Sequence, residues 1–487
     1  MSKKVRQLII ILVVLVVIGG GTALLLLLPK GDGGGATSSE GASSAPAITI
    51  FQQETGNIKN ILVENEEGSY TIVPNDSAFT VQGYEDLTVN TSAVAAAAKH
   101  MASLTALRDF GETADLTQYG LDKPQATMTA TYTDGTTSKL YIGSLLPGST
   151  ANYYVMAEGD KKVYSASISA GVFADPLLYI DTALLNELGT DSSGNQEQPD
   201  FGTITLSGAN FPQPIVIKTN TSTNIADVLN LSPYIMVEPI REGINQNFID
   251  DVMPYFYSLT ADEAVCANPT QEDLEKYGLT APKGIAAYTM NDKEYKLMVG
   301  NTDEDGTYIM REGVNVVFRV SDSSMVAWAN QDVFSMRSNL LYLMNIECVS
   351  RLKVTTPDGE YVFERTREKD EEQTSSLGKD SYNYTTTYNG TQLEKDNFGK
   401  YYQTIIGLLK DAPLEGETTA QPTVRVEFEF FPGYDLQPSV LELIPTENRR
   451  YVYRLNGEDI VLVKASLVDR LITSTQKVIK GETVVIN

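Results

Sequence analysis

The sequence predicts an α+β protein in which an N-terminal transmembrane helix precedes tandem repeats of an antiparallel β-meander plus helices. Three observations lead to this prediction. A run of 21 residues without charge extends from Leu8 to Leu28. Two stretches of the chain match each other at an offset of about 157 residues. Within them, short runs of apolar and polar residues are separated by glycine turns, which is typical of antiparallel strands.

Composition excludes several classes of protein. The 487 residues suggest roughly three domains. Apolar residues make up 42% and charged residues 21%, which excludes a mostly disordered chain and a polytopic membrane protein. A formal net charge of −26 marks an acidic protein that repels phosphate backbones, so we expect no nucleic-acid partner. One His and two Cys exclude a disulfide scaffold and multi-His or four-cysteine metal sites.

The N-terminal segment predicts a location in the cell membrane. As a helix, the uncharged run spans roughly 30 Å, the thickness of a bilayer core. Lys3, Lys4 and Arg6 precede it, so the positive-inside rule predicts a cytoplasmic N-terminus and an extracytoplasmic body. Residues 1–29 are therefore a cytoplasmic stub and a transmembrane signal anchor. The alternative is a signal peptide that is cleaved near Gly21-Thr22-Ala23.

The body is predicted to consist of three tandem units. Leu116–Pro124 matches Leu274–Pro282, and further matches follow in order as far as Val163-Tyr164 and Val317-Phe318. A third copy, without the Tyr-Gly-Leu motif of the other two, depends on periodicity alone. The predicted boundaries are 30–47 for a flexible linker, 48–188 for unit 1, 200–346 for unit 2, 347–475 for a degenerate unit 3 and 476–487 for a tail.

Each unit is predicted to contain a hairpin, a helix, four short strands and a second helix. In the first unit the hairpin lies at about 58–73, and an Ala-rich helix follows at about 91–108 with Asn90, Thr91 or Ser92 as its N-cap. The four strands are predicted near 126–132, 138–142, 152–156 and 162–166. Short turns join them, so they must be antiparallel.

The third unit is predicted to repeat this meander at 424–464. Asn456-Gly457 would take the place of Glu158-Gly159 as the turn before the last strand. The alternating apolar and charged residues of Val424–Phe430 indicate a half-buried strand. Ala465–Ile472 has the spacing of a closing helix.

The recurring Tyr-Gly-Leu-x-x-Pro motif has a structural interpretation and a functional one. In the structural one, Gly120 has left-handed φ/ψ at the C′ position of a short helical turn, and Leu116 contacts Leu121 in a Schellman cap. Gly278 repeats the arrangement. The alternative is a ligand-binding role. We favour the cap, because it explains each position of the motif.

Other candidate residues carry little chemical signal. His100 lies within the Ala-rich helix and has no counterpart in the repeat, so we expect a polar residue on a helix face. Cys266 and Cys348 are expected to be unpaired buried thiols, although pairing stays open. The segment 301–306 resembles part of a calcium loop, and we expect a solvated turn there. We therefore assign no catalytic, cofactor-binding or metal residue.

The repeated pieces resemble a known family. They are YGLDKPQATMTATYTDGTTSKLYIG, from Tyr119, and YGLTAPKGIAAYTMNDKEYKLMVG, from Tyr277. With one anchor helix before them, they resemble the bacterial domain-of-unknown-function 4340 family. The resemblance implies a single-pass membrane protein. Some members are encoded near ABC transporters of the gliding-motility type and are described as auxiliary components. It implies no catalytic residue and no cofactor.

Two hypotheses about function follow. The first is a non-catalytic extracytoplasmic accessory or scaffold protein that binds a protein partner or an envelope polymer, as an auxiliary component of an ABC-type transport system. Tandem units on a tether suit that role, because they multiply surface without chemistry. The alternative is a carboxylate-dependent cell-envelope hydrolase or a ligand-sensing module. Two converging carboxylates with perturbed pKa values would favour the hydrolase.

Overall fold

A computed structural model describes residues 48–190, 192–377, 380–416 and 418–486. The predicted transmembrane helix at 8–28 and the predicted linker at 30–47 lie outside these residues. Within the described ranges, no helix is both long enough and apolar enough to cross a membrane.

Strands dominate the described part of the chain. In chain order they are β1 (Ile48–Gln52), β2 (Ile58–Asn65), β3 (Gly68–Asn75), β4 (Ala78–Val81), β5 (Ser103–Ala106), β6 (Arg108–Glu112), β7 (Ala126–Tyr132), β8 (Thr137–Leu145), β9 (Asn152–Ala157), β10 (Lys162–Ser167), β11 (Ala183–Asn186), β12 (Phe201–Ser207), β13 (Ile215–Thr219), β14 (Tyr234–Glu238), β15 (Glu242–Gly243), β16 (Ser258–Thr260), β17 (Glu263–Ala267), β18 (Gly284–Met290), β19 (Lys293–Thr302), β20 (Thr307–Arg311), β21 (Val316–Val320), β22 (Val349–Thr356), β23 (Gly359–Lys369), β24 (Tyr382–Tyr388), β25 (Thr391–Gln392), β26 (Lys410–Ala412), β27 (Val424–Phe430), β28 (Ser439–Pro445), β29 (Arg450–Leu455) and β30 (Glu458–Lys464).

The α-helices are few and mostly short. They are α1 (Thr91–Ala102), α2 (Gln271–Lys276), α3 (Val333–Met336), α4 (Glu371–Leu377), α5 (Lys395–Ile406) and α6 (Ala465–Ile479).

Three large sheets have the same strand order, and we call them the first, second and third repeats. The orders are β4-β3-β2-β7-β8-β9-β10-β6, β15-β14-β13-β12-β18-β19-β20-β21-β17 and β25-β24-β23-β22-β27-β28-β29-β30-β26. In each sheet the first hairpin strand pairs with the first meander strand, and the strand before the meander pairs with the last. The tandem repeat predicted from the sequence is therefore confirmed, including the meander at 424–464 in the third copy.

The repeats also share irregularities of register. The strand that closes the meander, β6, β17 or β26, carries a β-bulge against its partner in every copy. The first strand, β2, β12 or β22, has a second bulge near its start. Bulges add local twist and bend a strand. Equal bulges at equal places support common descent of the three units.

The predicted α+β class is wrong, because the described residues form mostly antiparallel sheets. The hairpin and the meander join edge to edge, so each repeat is one sheet of eight or nine strands and not a meander beside a hairpin. Two small two-stranded sheets, β1–β5 and β11–β16, bring the number of sheets in the described residues to five. Because many residues of each repeat belong to strands of its sheet, fewer residues remain for helices.

Proline interrupts two of the predicted helices, which are the second helix of the first repeat and the first helix of the second repeat. In the first repeat the expected helix is two 3₁₀ turns, Ala170–Phe173 and Pro176–Tyr179. In the second repeat the counterpart of α1 is one turn of π-helix, Phe248–Val252, followed by the 3₁₀ turn Met253–Phe256, which contains Pro254. Proline removes a backbone donor and clashes with the preceding helical turn. Only α6 forms the predicted closing helix, and it extends to Ile479.

Helix α1 begins where the sequence predicts and ends earlier. The Asn90 side chain accepts a hydrogen bond from the backbone N–H of Ala93 at 3.1 Å, so Asn90 is the N-cap. The helix ends at Ala102 and not near residue 108. The next residues, Ser103–Ala106, form β5 and pair with β1, which contributes β-branched Ile and Thr side chains.

The described residues divide into two compact units, each with its own core. The first contains residues 48–184, 260–276 and 308–321, and the second contains 185–259, 277–307 and those from 322 onward. In the first unit, α1 buries its Val and Ala side chains against β2 and β7. In the second, α5 and α6 pack against each other, α5 also contacts β24, and α6 contacts β29 and β30. The predicted boundaries of the three repeat units stay predictions.

Candidate binding surface

The Tyr-Gly-Leu motif forms the predicted helix stop. Gly120 has φ +66°, and Gly278 has φ +73°, so both are left-handed. The N–H of Leu121 donates to the carbonyl of Leu116 at 3.1 Å, and the N–H of Gly120 donates to that of Thr117 at 3.1 Å. These are the two bonds of a Schellman motif. The predicted cap is therefore confirmed: both glycines have the left-handed φ, and the first copy also has the two hydrogen bonds.

A second glycine explains why Leu-x-Ile-Gly recurs with Tyr-Gly-Leu. A Cβ on Gly143 would overlap the carbonyl oxygen of Tyr119, and one on Gly300 would overlap that of Tyr277. The turn thus sits directly on the backbone of the second meander strand. The common recurrence of the two motifs in the sequence is the signal of this contact.

The tyrosine of the motif belongs to an aromatic group on the first repeat. The ring of Tyr119 lies 4.9 Å from that of Tyr154 and 6.0 Å from that of Phe110, and the Arg108 guanidinium lies over Phe110. An open groove of about 490 Å³ is lined by residues that include Leu116. Its polar residues carry both signs of charge. We regard the aromatic group as packing that holds the capped turn, because the Tyr119 ring contacts two other rings.

His100 has a structural environment. Its Nε2 accepts a hydrogen bond from the backbone N–H of Ser169 at 3.0 Å and lies 2.9 Å from the Ser169 hydroxyl. Burial, and to a smaller extent Lys99, lowers its pKa to about 4. A serine beside a histidine is part of a catalytic dyad. Here, however, a backbone N–H already occupies the nitrogen that would have to take the proton, so His100 ties α1 to the 3₁₀ turn.

The remaining sequence candidates also have structural surroundings. Cys266 and Cys348 both carry free thiols, as the sequence favoured, although Cys266 is only half-buried. Asp303 accepts hydrogen bonds from the N–H groups of Asp305 and Gly306 at 2.9 Å, which closes the turn that resembled a calcium loop. Across the described ranges, no group of three or more His, Cys, Asp or Glu side chains is placed to hold a metal ion.

The third repeat has an extension that the other two lack. Its second hairpin strand, β23, has 11 residues, whereas β3 has 8 and β13 has 5. The additional residues pair with β24 as far as Lys369 and Tyr382. Alternate side chains of this extension lie on the core face of the sheet but beyond the core. Together with the loop after β27 they form a group that we call the arginine–tyrosine cluster: Arg365, Arg367, Tyr382, Tyr384, Phe431 and Tyr434.

Arg365 is buried at the base of the cluster. Only 7% of it is exposed. Its Nη1 donates to the carbonyl oxygens of Ile346 and Val349, and its Nε donates to the Thr386 hydroxyl at 3.3 Å. The guanidinium carbon lies 4.9 Å from the centre of the Tyr384 ring. Burial lowers its pKa.

Arg367 is half-buried in a cage of aromatic rings. Its guanidinium carbon lies 4.6 Å from the ring centres of Tyr382 and Phe431 and 5.3 Å from that of Tyr434. Its Nη1 donates to the Tyr434 hydroxyl at 3.2 Å, and its Nη2 donates to the carbonyl of Pro432 at 2.9 Å. Such contacts fix a guanidinium without neutralising it.

The electrostatics of the cluster differ from those of the rest of the third repeat. Among the described residues, no carboxylate lies within ion-pair distance of Arg365 or Arg367. Glu347 is near enough to oppose the fall in the pKa of Arg365 but forms no ion pair. Burial, with the neighbouring Tyr434 and Glu347, raises the pKa of Tyr384. The cluster is therefore positive within an acidic protein.

The sequence prediction did not include the cluster. Its signal was the alternation of Arg365 and Arg367 with polar residues on one strand and of Tyr382 and Tyr384 on the next. Alternation places such residues on one face. The contribution of the loop that contains Phe431 depends on how β27 ends, which no local pattern indicates.

Comparison with known proteins identifies the family. No curated protein and no solved structure matches the chain. The family profile described as Domain of unknown function (DUF4340) matches twice, over residues 80–256 and 236–402. Each match begins at the end of one hairpin, near β4 or β14, and continues through a meander into the hairpin of the next repeat. The matches together span more than half of the chain, which therefore belongs to the DUF4340 family.

Proposed function

We propose that this protein is a non-catalytic accessory or scaffold protein of the bacterial cell envelope that binds a partner protein through the arginine–tyrosine cluster. The segment 8–28 would hold it at the cell membrane, with the repeats on the extracytoplasmic side. An ABC-type transport system is the assembly that the family resemblance suggests for it to serve.

One observation carries the proposal. The three repeats keep one strand order and one core face, but only the third extends its hairpin, and the extension carries unpaired guanidiniums among half-exposed rings. Arg and Tyr are enriched where proteins bind each other. An extension whose arginines and tyrosines lie outside the apolar core supports a role in recognition.

The hydrolase alternative has weaker support. It requires two carboxyl groups that converge on a substrate, one of them with a raised pKa. Glu242 is the described carboxyl whose pKa burial clearly raises, and the Arg337 guanidinium already binds its Oε1. That contact makes Glu242 an ion-pair partner. A ligand-sensing module would use the same cluster, so the identity of the bound molecule separates it from a scaffold.

Position-specific crosslinking in native membranes tests the proposal. p-Benzoylphenylalanine would replace Tyr382 in the cluster and, as the matched control, Thr385, which lies three residues along β24 on the opposite face. We expect ultraviolet light to give a discrete protein adduct from position 382 and none from position 385.

Two outcomes would contradict the proposal. One is a lack of any protein adduct from position 382. The other is the same adducts from both positions, which would indicate random collision. Thermal melting of both variants before irradiation ensures that the two proteins are equally folded.

A further inference from the structure

We infer that the arginine–tyrosine cluster receives a carboxylate side chain from an acidic segment of the partner protein. This inference rests on the proposed function and adds the chemistry of the partner to it. Arg365 and Arg367 are the residues that would contact the carboxylate.

The charge of Arg365 is the first reason to expect a carboxylate at the cluster. More than nine-tenths of this residue is buried, yet all of its described hydrogen-bond partners are neutral. Nη1 and Nε are occupied, whereas Nη2 has no hydrogen-bond partner among the described residues. A buried cation without a counter-ion is costly, and an anion that arrives from outside removes that cost.

The second step is the geometry of Arg367. Its two terminal nitrogens each donate one hydrogen bond, to the Tyr434 hydroxyl and the Pro432 carbonyl, which leaves its Nε without a described partner. Three rings hold the guanidinium plane. Little side-chain entropy is lost when such a fixed guanidinium binds a carboxylate, and charge-assisted hydrogen bonds are the strong ones.

The third step favours a peptide over an acidic polysaccharide. Sugars bind to aromatic rings by stacking on an open face. In the cluster, however, Arg367 already lies over the rings of Tyr382, Phe431 and Tyr434. The rings thus support the guanidinium and do not form a platform. An aspartate or glutamate on a flexible chain reaches the free donors without needing that platform.

The net charge makes the inference testable. The chain carries −26, so its net charge repels oligoglutamate, and binding requires a local positive site. The probe is fluorescein-labelled hexaglutamate, and the measurement is its fluorescence anisotropy with the detergent-solubilised full chain at low ionic strength. We expect saturable binding that unlabelled hexaglutamate displaces, and that Arg367→Gln weakens at least tenfold.

Arg351→Gln is the matched control. It removes the same charge from the same repeat, but Arg351 already pairs with Glu364 and Glu429. We expect it to leave binding within twofold of the unmodified chain. Arg365→Lys, which keeps the charge and loses the planar fork, should also weaken binding.

Three outcomes would overturn the inference: no binding of hexaglutamate, equal loss with Arg351→Gln and Arg367→Gln, or displacement by trigalacturonate and not by hexaglutamate. A position-specific protein adduct at Tyr382 together with any of these would leave the proposed function standing. Absence of that adduct would remove the proposed function itself.

Discussion

The first and third repeats have the same strand order but differ in two places, which are the connection that leads into the meander and the length of the second hairpin strand. The first connects β6 to its meander through the capped Tyr-Gly-Leu turn, whereas at the same place the third has a loop in which Thr418 accepts a hydrogen bond from Arg454 at 3.0 Å. At the other end, β3 stops at Asn75, and β23 continues to Lys369 with the arginine–tyrosine cluster. The residues on the core face therefore specify the strand order, whereas the connection before the meander and the length of the second hairpin strand differ between the repeats.

The outer faces of these two sheets differ as well. In the first repeat, threonines cover β7, and Thr127 donates to the Glu64 carboxylate at 3.0 Å. In the third repeat, a ladder of ion pairs crosses β22, β23, β27 and β28. Cross-strand pairs of either kind stabilise a sheet modestly. The comparison therefore separates features that hold each repeat together from features that are available for binding.

The largest expected effect concerns the cap that only the first and second repeats have. Gly120→Val places a β-branched residue at φ +66°, and its Cβ would overlap the Ser144 hydroxyl and lie 3.0 Å from the Ser144 backbone nitrogen. Strain and overlap together should destabilise the first repeat by about 3–4 kcal/mol. Hydrogen-exchange mass spectrometry should show faster exchange in β7–β10 and unchanged exchange in the third repeat.

Gly159→Val is the matched control for this substitution. Gly159 has φ +82°, but an added Cβ meets no atom within 4 Å. It should cost only the backbone strain, about 1–2 kcal/mol. If both substitutions have the same effect, the close approach of the turn to the second meander strand contributes nothing to stability.

The second prediction concerns pH and distinguishes the helices that pack on the two cores. Burial lowers the pKa of His100 in α1 to about 4, whereas the unfolded chain has the usual value near 6.5. The unfolded state therefore binds the proton first. The contribution to stability is complete above about pH 6.5 and is lost as the pH falls toward 4, to a total of about 3 kcal/mol. Helix α5 carries no His and should not respond in this range.

The measurement is denaturant unfolding from pH 7 to pH 4, followed by hydrogen exchange in each repeat. His100→Gln retains an acceptor for the Ser169 N–H and cannot titrate, so its first repeat should lose less stability across this range. The chain has one His, so no other imidazole contributes to the difference between the two proteins. An identical pH response in the two proteins would show that His100 does not determine the acid sensitivity of the first repeat.

The sequence predicts the strands better than the way they assemble. Alternation and glycine turns locate β7–β10 to within a few residues, because these signals are local. The helix predicted after the first meander is interrupted at Pro176. The joining of hairpin and meander into one sheet cannot be predicted from local patterns, because it depends on pairing between β2 and β7. The cap was predictable from its glycine. The cluster was not, because Phe431 reaches it from the loop after β27.

The smallest expected effect concerns the ion-pair ladder of the third repeat. Arg351 lies between Glu364 at 2.9 Å and Glu429 at 2.5 Å, and its side chain is 32% exposed. Exposed pairs gain little because water screens them and two side chains must be ordered. Arg351→Gln should therefore cost about 0.5–1 kcal/mol in denaturant unfolding at low salt. Most of that cost should vanish in about 1 M NaCl, where the Debye length is about 3 Å.

Arg365→Gln should have a different effect, because two backbone carbonyls lose their hydrogen-bond donor. It should destabilise the third repeat by a larger amount that salt does not remove. If Arg351→Gln caused a loss of stability that salt does not remove, the exposed ion pairs would stabilise the sheet in the same way as the buried Arg365. The distinction between residues that stabilise this repeat and residues that are available for binding would then be wrong.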